Sequence, residues 1–266
     1  QHEYDRIREE ALNFSAERKS NYEKSRSAVR GIEVDFLPTR LDFENVSRCN
    51  FRCTMCQVSD WDKGKRADDM SFDAFKAIID EQIGLVEIKL QGIGEPLMQG
   101  TDYFRMIEYA RSQAIWVRTV INGSLLHLHD NYKKLVNSGV NEIQISIDGA
   151  DKETFETIRR GSKFEQVQKN CKLINSYCDS LGINRTKMWT VVQQGNVHQL
   201  SELVRFAADA GFKSYVLALS ICDWGDGAWR EKNQEISAID EIEIEQAHEL
   251  IKLGTELGVD VRFWVP

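Results

Sequence analysis

From residue 41 onward, short runs of alternating polar and apolar residues are separated by longer segments with apolar residues at steps of three and four. Parallel strands need a crossover of about a dozen residues, so this alternation restricts the chain to a parallel sheet with helices on its faces. The pattern predicts strands at 41–46, 86–91, 117–121, 142–148, 187–193, 214–220 and 260–265. Helices are expected at 71–83, 102–112, 131–138, 164–181, 197–210 and 240–257. Ser71 reads as the N-cap of the first, ahead of Phe72, Phe75, Ile79 and Ile83. In 164–181, Phe164, Val167, Cys171, Ile174, Cys178 and Leu181 form one apolar face. Gly139, Gly182, Gly211 and Gly258 follow helical segments and read as C-caps. Residues 3–30 read as polar helix outside the main body. Six strand–helix units and a further strand fall short of an eightfold barrel.

The strand faces carry a second constraint. Ile143, Ile145 and Ile147 alternate with Gln144, Ser146 and Asp148, and Ile88 and Leu90 alternate with Glu87, Lys89 and Gln91. Leu41 and Phe43 alternate with Asp42 and Glu44. The apolar face meets the helices, which leaves a polar face for the interior. A closed barrel fills its interior with Val, Ile and Leu; a polar lining suits an open, wet cavity for a polar ligand, or strands exposed on one side.

Ligands of parallel barrels bind at the C-terminal strand ends, and the polar and glycine-rich motifs fall there. SRCNFRCTMCQ (47–57) follows the first strand and GIGEPL (92–97) the second. INGS (121–124), SIDG (146–149), QQGN (193–196) and SICDWGDG (220–227) follow in turn. Three of six cysteines, Cys49, Cys53 and Cys56, stand in the first of these loops with spacing C-x3-C-x2-C. Structural zinc wants four protein ligands, and three thiolates on a four-iron cluster leave one iron open. The net charge of −8 argues against a nucleic-acid surface, and no apolar run reaches the roughly 18–20 residues that span a membrane. Clustered thiols without a secretion signal predict a reducing, cytoplasmic setting.

The cysteine triad after the first strand, with G-x-G-E-P after the second, resembles the radical S-adenosylmethionine (SAM) enzymes over residues 36–222. S-x-x-C-N-x-x-C-x-x-C, ISIDG (145–149) and IRRGSKFEQV (158–167) look most like the branch with a C-terminal auxiliary-cluster region (SPASM or twitch). The resemblance implies a partial parallel (β/α)6 barrel over 36–237, an N-terminal helical extension over 1–35, and a helix and strand at 238–266. It implies a [4Fe–4S] cluster on Cys49, Cys53 and Cys56, with SAM on the fourth iron. Cleavage of SAM would yield a 5′-deoxyadenosyl radical that takes a hydrogen atom from a polar substrate, a sugar, nucleotide-sugar or peptide side chain. The outcome would be oxidation, epimerisation or cross-linking, with a flavodoxin or ferredoxin as electron donor. By the same resemblance Gly92, Gly94, Glu95 and Pro96 serve the SAM ammonium. Met55 and Leu217, or the neighbours of Leu217 on the sixth strand, lie near the adenine, Ser146 and Asp148 near the ribose or carboxylate, and Asn122 near the cofactor. Arg159, or Arg160 in its place, pairs with the carboxylate.

Cys222 can serve as a hydrogen-atom donor, ligate a second cluster, or pack. Cys171 and Cys178 lie two helical turns apart, about 10 Å, too far for a disulfide, and read as core. His127 and His129 read as a surface connection. Trp61, Trp224 and Trp229 stand in long rim loops that bind substrate or cover the barrel mouth. A chain opening at Gln1 and ending in a strand at Trp264-Val265-Pro266 is expected to continue into an auxiliary-cluster region beyond residue 266. The competing reading is a non-catalytic iron–sulfur module for electron transfer or binding.

Overall fold

The computed structural model describes residues 2–29, 31, 33–59, 67–221 and 227–265. The fold is α/β, a partial parallel (β/α)6 barrel with N-terminal helices. Seven strands form one sheet in the order β1 (Arg40–Phe43), β3 (Glu87–Leu90), β4 (Trp116–Ile121), β5 (Glu142–Ser146), β7 (Thr186–Val191), β8 (Ser214–Ala218), β9 (Asp260–Trp264). The pairs β1–β3, β3–β4, β7–β8 and β8–β9 are parallel. A separate antiparallel ribbon joins β2 (Arg52–Cys53) to β6 (Arg159–Arg160). The chain divides into two compact units.

The first unit comprises Gln1–Arg48, Ala67–Val120 and Lys134–Ile143. Its core gathers Phe43, Phe75, Ile79, Ile88, Leu90 and Ile107 from β1, α3 (Phe72–Glu81), β3 and α4 (Thr101–Ser112). Ser71 caps α3 as expected, its hydroxyl accepting from Ala74 N. Ile83 lies beyond the helix end and is exposed, so it does not belong to the apolar face. β1 ends at Phe43 rather than at 46, because Asn45 leaves the ladder and donates to Gln99 Oε1 at 2.6 Å.

The N-terminal segment departs from its reading in two ways. It is two helices, α1 (His2–Asn13) and α2 (Ala16–Ser27), broken where Ser15 caps the second through Arg18 N. Nor does it lie outside the main body: Ile7 and Ala11 are buried, and the Tyr4 ring sits 5.0 Å from that of Trp116. Tyr4 also donates to Glu87, and burial together with that carboxylate pushes its hydroxyl up to about 12. Arg18 is 4% exposed and donates to the carbonyls of Ile83, Ala11 and Gln113 at 3.1, 3.3 and 2.7 Å. One guanidinium thus ties together carbonyls at three segment ends.

The second unit comprises Cys49–Arg66, Ile121–Lys133 and Gln144–Pro266. On α7 (Phe164–Ser180) the predicted face is buried, with Cys171 and Cys178 in the core. Burial pushes the Cys171 thiol up to about 12. Leu181, at the C-cap, is instead exposed. The C-cap glycines Gly139, Gly182, Gly211 and Gly258 all have φ between 66° and 86°, where a side chain is strained. Two helices escaped the periodicity reading, α6 (Lys152–Ile158) and α9 (Gly227–Ile236). Both are short, and a seven-residue helix such as α6 offers too few repeats for a pattern. α8 (Leu200–Asp209) and α10 (Ile244–Glu256) cover the sheet beside α7; Gly254 of α10 is so close to Val261 that an added Cβ would lie 2.4 Å from its methyl. No described helix is long and apolar enough to cross a membrane.

Candidate active site

The cysteine loop is built on the β2–β6 ribbon. Cys53 pairs in register with Arg159, and Thr54 N donates to Ile158 O at 2.9 Å. Beyond the ribbon the chain coils on itself: Cys56 N donates to Cys53 O at 3.2 Å, and the Ser59 hydroxyl to the same carbonyl at 2.8 Å. Arg52 closes the other side on the carbonyls of Cys49 and Phe51. Phe51, 2% exposed, anchors the loop in the core. The two-residue strands that make this ribbon lie below the length at which sequence alternation is readable.

The loop meets one buried ion pair. Arg159 Nη2 lies 2.6 Å from Asp148 Oδ2, with side chains 8% and 0% exposed. The other terminal nitrogen, Nη1, donates to Cys53 Sγ at 3.8 Å. Val191 N donates to Asp148 Oδ1 at 2.8 Å, and Asn196 Nδ2 braces the Asp148 and Val191 carbonyls. Burial works against the guanidinium charge, yet Asp148 and the thiols of Cys53 and Cys49 outweigh it and hold the Arg159 pKa above its ordinary value. The Cys53 thiol is pushed up to about 11 by burial, with Arg159 pulling the other way. Arg159 Nε is buried without a hydrogen-bond partner. Arg160 points outward to the Arg52 carbonyl, so of the two arginines it is Arg159 that faces the cysteines.

Cys49 has its own surroundings. Phe51 N donates to its sulfur at 3.4 Å, and Asn122 Nδ2 lies 4.0 Å from it. Asn122 also donates to Asn50 Oδ1 at 2.9 Å, and its own Oδ1 accepts from Ser124 N and Oγ at 2.9 and 2.7 Å. Asn50 Nδ2 completes the ring on Ser124 Oγ at 2.9 Å.

The 92–97 loop belongs to the first unit. A Cβ on Gly92 would lie 1.9 Å from Val46 O, and one on Gly94 2.3 Å from Arg48 O. Only glycine lets these backbones approach so closely. Gly94 N and Glu95 N donate to those same carbonyls at 3.2 and 2.9 Å. Glu95 is 2% exposed and caps the turn Pro96–Gln99 through Leu97 N.

The remaining candidates divide. Ser146 is 8% exposed on the same β5 face as Gln144. That face is opposite to Ile145, whose methyl meets the Gly123 turn alongside Val167 of α7. Met55 is half-buried in the cysteine loop. Leu217 is fully buried on the β8 face of Tyr215, whose register partner Val261 packs on α10. The opposite β8 face carries Val216 and Ala218, in register with Trp189 and Val191. Cys222, Trp61 and Trp224 lie outside the described residues. His127 and His129 are exposed, as expected of a surface connection, and His127 Nδ1 lies 3.1 Å from Asn170 Nδ2. Arg52 and Asn170 were not singled out from the sequence. Two asparagines among the apolar residues of α7, Asn170 and Asn175, are the available signal for the latter.

Among the described residues, no three His, Cys, Asp or Glu side chains converge as on a single metal ion. A cubane cluster takes one thiolate per iron, so its ligands stand apart. The donor set fits such a cluster: three cysteines on one loop, a guanidinium with a spare N–H beside the second, and an amide beside the first.

The signature of the Radical SAM superfamily matches residues 46–217. The chain is 28% identical over 234 residues to GTP 3′,8-cyclase of Ectopseudomonas mendocina, covering 85% of this chain and 67% of that protein. It is 28% identical over 204 residues to the mycofactocin maturase MftC of Mycolicibacterium smegmatis, covering 75% and 48%. It thus spans between about half and two thirds of the curated relatives' length. Among solved structures it resembles Streptococcus suis SuiB bound to S-adenosylmethionine, with a TM-score of 0.63 over 86% of this chain and 51% of that one. At 15% identity this likeness concerns the fold.

Proposed function

The chain belongs to the radical SAM superfamily, and from that premise we propose that it carries the radical-generating barrel of an oxidoreductase or maturase acting on a polar substrate. Its cofactors are a [4Fe–4S] cluster and SAM. When bound, they supply the electron that cleaves SAM and the radical that takes a hydrogen atom from substrate. The observation that carries the reading is the Cys49–Cys53–Cys56 loop clamped by a buried guanidinium–carboxylate pair at Cys53.

In this reading Cys49, Cys53 and Cys56 hold the cluster. Gly92 and Gly94 bring backbone close, and Glu95, set by Pro96, accepts from the SAM ammonium. Arg159 serves the cysteine loop and the SAM carboxylate together, with Asp148 orienting it. Asn122 and Ser146 line the cofactor, and Met55 packs near the adenine. That contact on β8 falls to Val216 and Ala218 rather than Leu217, which the helices cover. Residues 36–237 form the catalytic barrel, with 1–35 and 238–266 as extensions. A cavity of about 370 Å³ lies beyond the end of β8, lined by Leu219, Ile221 and Ile239 together with Arg230, Asn233 and Gln234.

The test is anaerobic. The protein is reconstituted with iron and sulfide, reduced with dithionite, given SAM and assayed for 5′-deoxyadenosine. Product that disappears in Cys53→Ala supports the reading. A cluster that leaves SAM intact supports the non-catalytic iron–sulfur module instead.

A further inference from the structure

We propose that Asn170, buried on α7 well away from the cysteine loop in sequence, is a positioning residue for the first cluster ligand, Cys49. The proposal rests on the assignment of Cys49 to the cluster. Asn170 is 1% exposed and is one of two asparagines, with Asn175, among the buried residues of α7. Its Nδ2 donates to Gly123 O at 2.8 Å and Ser124 O at 3.0 Å, and lies 3.1 Å from His127 Nδ1. Its Oδ1 accepts from Gln166 Nε2 at 3.0 Å, which fixes the orientation of the amide. One side chain therefore holds two carbonyls of a single turn and touches the imidazole that follows it.

That turn is the one that presents Asn122 to Cys49. Gly123 has φ 75°, and a Cβ there would press on Ile145 and Val167 at 3.1 and 3.4 Å. The turn is thus seated on the core while Ser124 holds the Asn122 amide. The amide reaches Asn50 Oδ1 at 2.9 Å and lies 4.0 Å from Cys49 Sγ. The line of contact runs from Asn170 through Ser124 and Asn122 to the sulfur, wholly within the second unit. Amide dipoles aimed at a thiolate favour the more negative, reduced cluster, and partners outside the ligand shell commonly change affinity or activity 10–100-fold.

The alternative is that Asn170 merely satisfies buried carbonyls. Asn175 provides the control. It is equally buried on the same helix (3% exposed), but it holds Ala210 O at 2.7 Å and accepts from the Thr186 hydroxyl, at the end of α8 and the start of β7. The experiment compares Asn170→Asp, Asn175→Asp and Ser124→Ala in the reconstituted protein. Iron content, thermal stability and the cluster midpoint potential, titrated by electron paramagnetic resonance with and without SAM, are read for each.

Asn170→Asp keeps the size and loses the donors. It is expected to move the midpoint to more negative potential at unchanged iron content, and to slow SAM cleavage about tenfold. Ser124→Ala should move it in the same direction, and the double variant no further than the larger single shift. Asn175→Asp should lower stability and leave the midpoint in place. If Asn170→Asp does not fold, Ser124→Ala reads the same line from its other end. A midpoint unchanged in Ser124→Ala, or one that moves equally in Asn175→Asp, overturns the proposal. Failure of the unsubstituted protein to take up a cluster would overturn the cluster assignment itself and is seen separately, in the iron content.

Discussion

Two buried arginines set the two units apart. Arg18 and Arg159 are 4% and 7% exposed. Arg18 spends its hydrogen bonds on carbonyls at segment ends and faces no carboxylate or thiol in those contacts. Arg159 is matched to a carboxylate, reaches a cysteine sulfur, and keeps one N–H without a partner. Burial lowers the Arg18 pKa, whereas at Arg159 the surrounding acid and thiols outweigh burial and raise it. A buried arginine whose donors end on carbonyls is a structural tie. One left with a spare donor among acids and thiols marks a place where chemistry remains to be completed.

Five substitutions test this contrast, beginning with the largest effect. Cys53→Ala should abolish 5′-deoxyadenosine formation and lower bound iron, measured by chromatography and iron analysis; full iron with full activity would remove Cys53 from the ligand set. Next, Arg159→Met leaves Asp148 buried and unpaired, and should cost about 3–5 kcal/mol of stability along with activity. Adding Asp148→Asn should restore much of the stability in denaturant titrations but none of the activity. If activity returns with stability, the pair is only structural and the contrast with Arg18 collapses.

Arg18→Met should cost about 2–3 kcal/mol, since it removes three hydrogen bonds made by a buried guanidinium. Product formed per folded molecule should stay unchanged, and a selective loss of turnover would tie the N-terminal layer to the site. The smallest effect is expected at Asp151, which caps α6 through Thr154 N at 2.8 Å. Asp151→Ala should lower stability by about 1 kcal/mol, read as a shift in the unfolding midpoint. The ordinary Asp151 carboxylate is held low, chiefly by the bond from Thr154 N, so this contribution is present above the unfolded-state pKa and disappears as pH falls through the lower folded value.

The readable parts of the fold are those with enough repeats. Strand–helix alternation, the Ser71 cap and the C-cap glycines follow from local sterics and periodicity, and each stands where expected. Errors cluster at ends and in short elements: Ile83 and Leu181 fall past helix termini, β1 stops early at Asn45, and α1 and α2 are divided by Ser15. At the site, C-x3-C-x2-C and GIGEP were legible because cluster ligation and close backbone approach each demand particular residue types at particular spacings.

By itself, the sequence determined the α/β class, the cysteine loop, and the two glycines that no side chain could replace. Tertiary structure decided that Arg159 rather than Arg160 faces Cys53, that Leu217 is turned to the helices, and that Asn170 holds the turn beside Cys49. The reason is physical. Local geometry follows from neighbours in the chain, whereas the direction of an arginine or the partner of a buried amide depends on charges and carbonyls that only folding brings within hydrogen-bond reach.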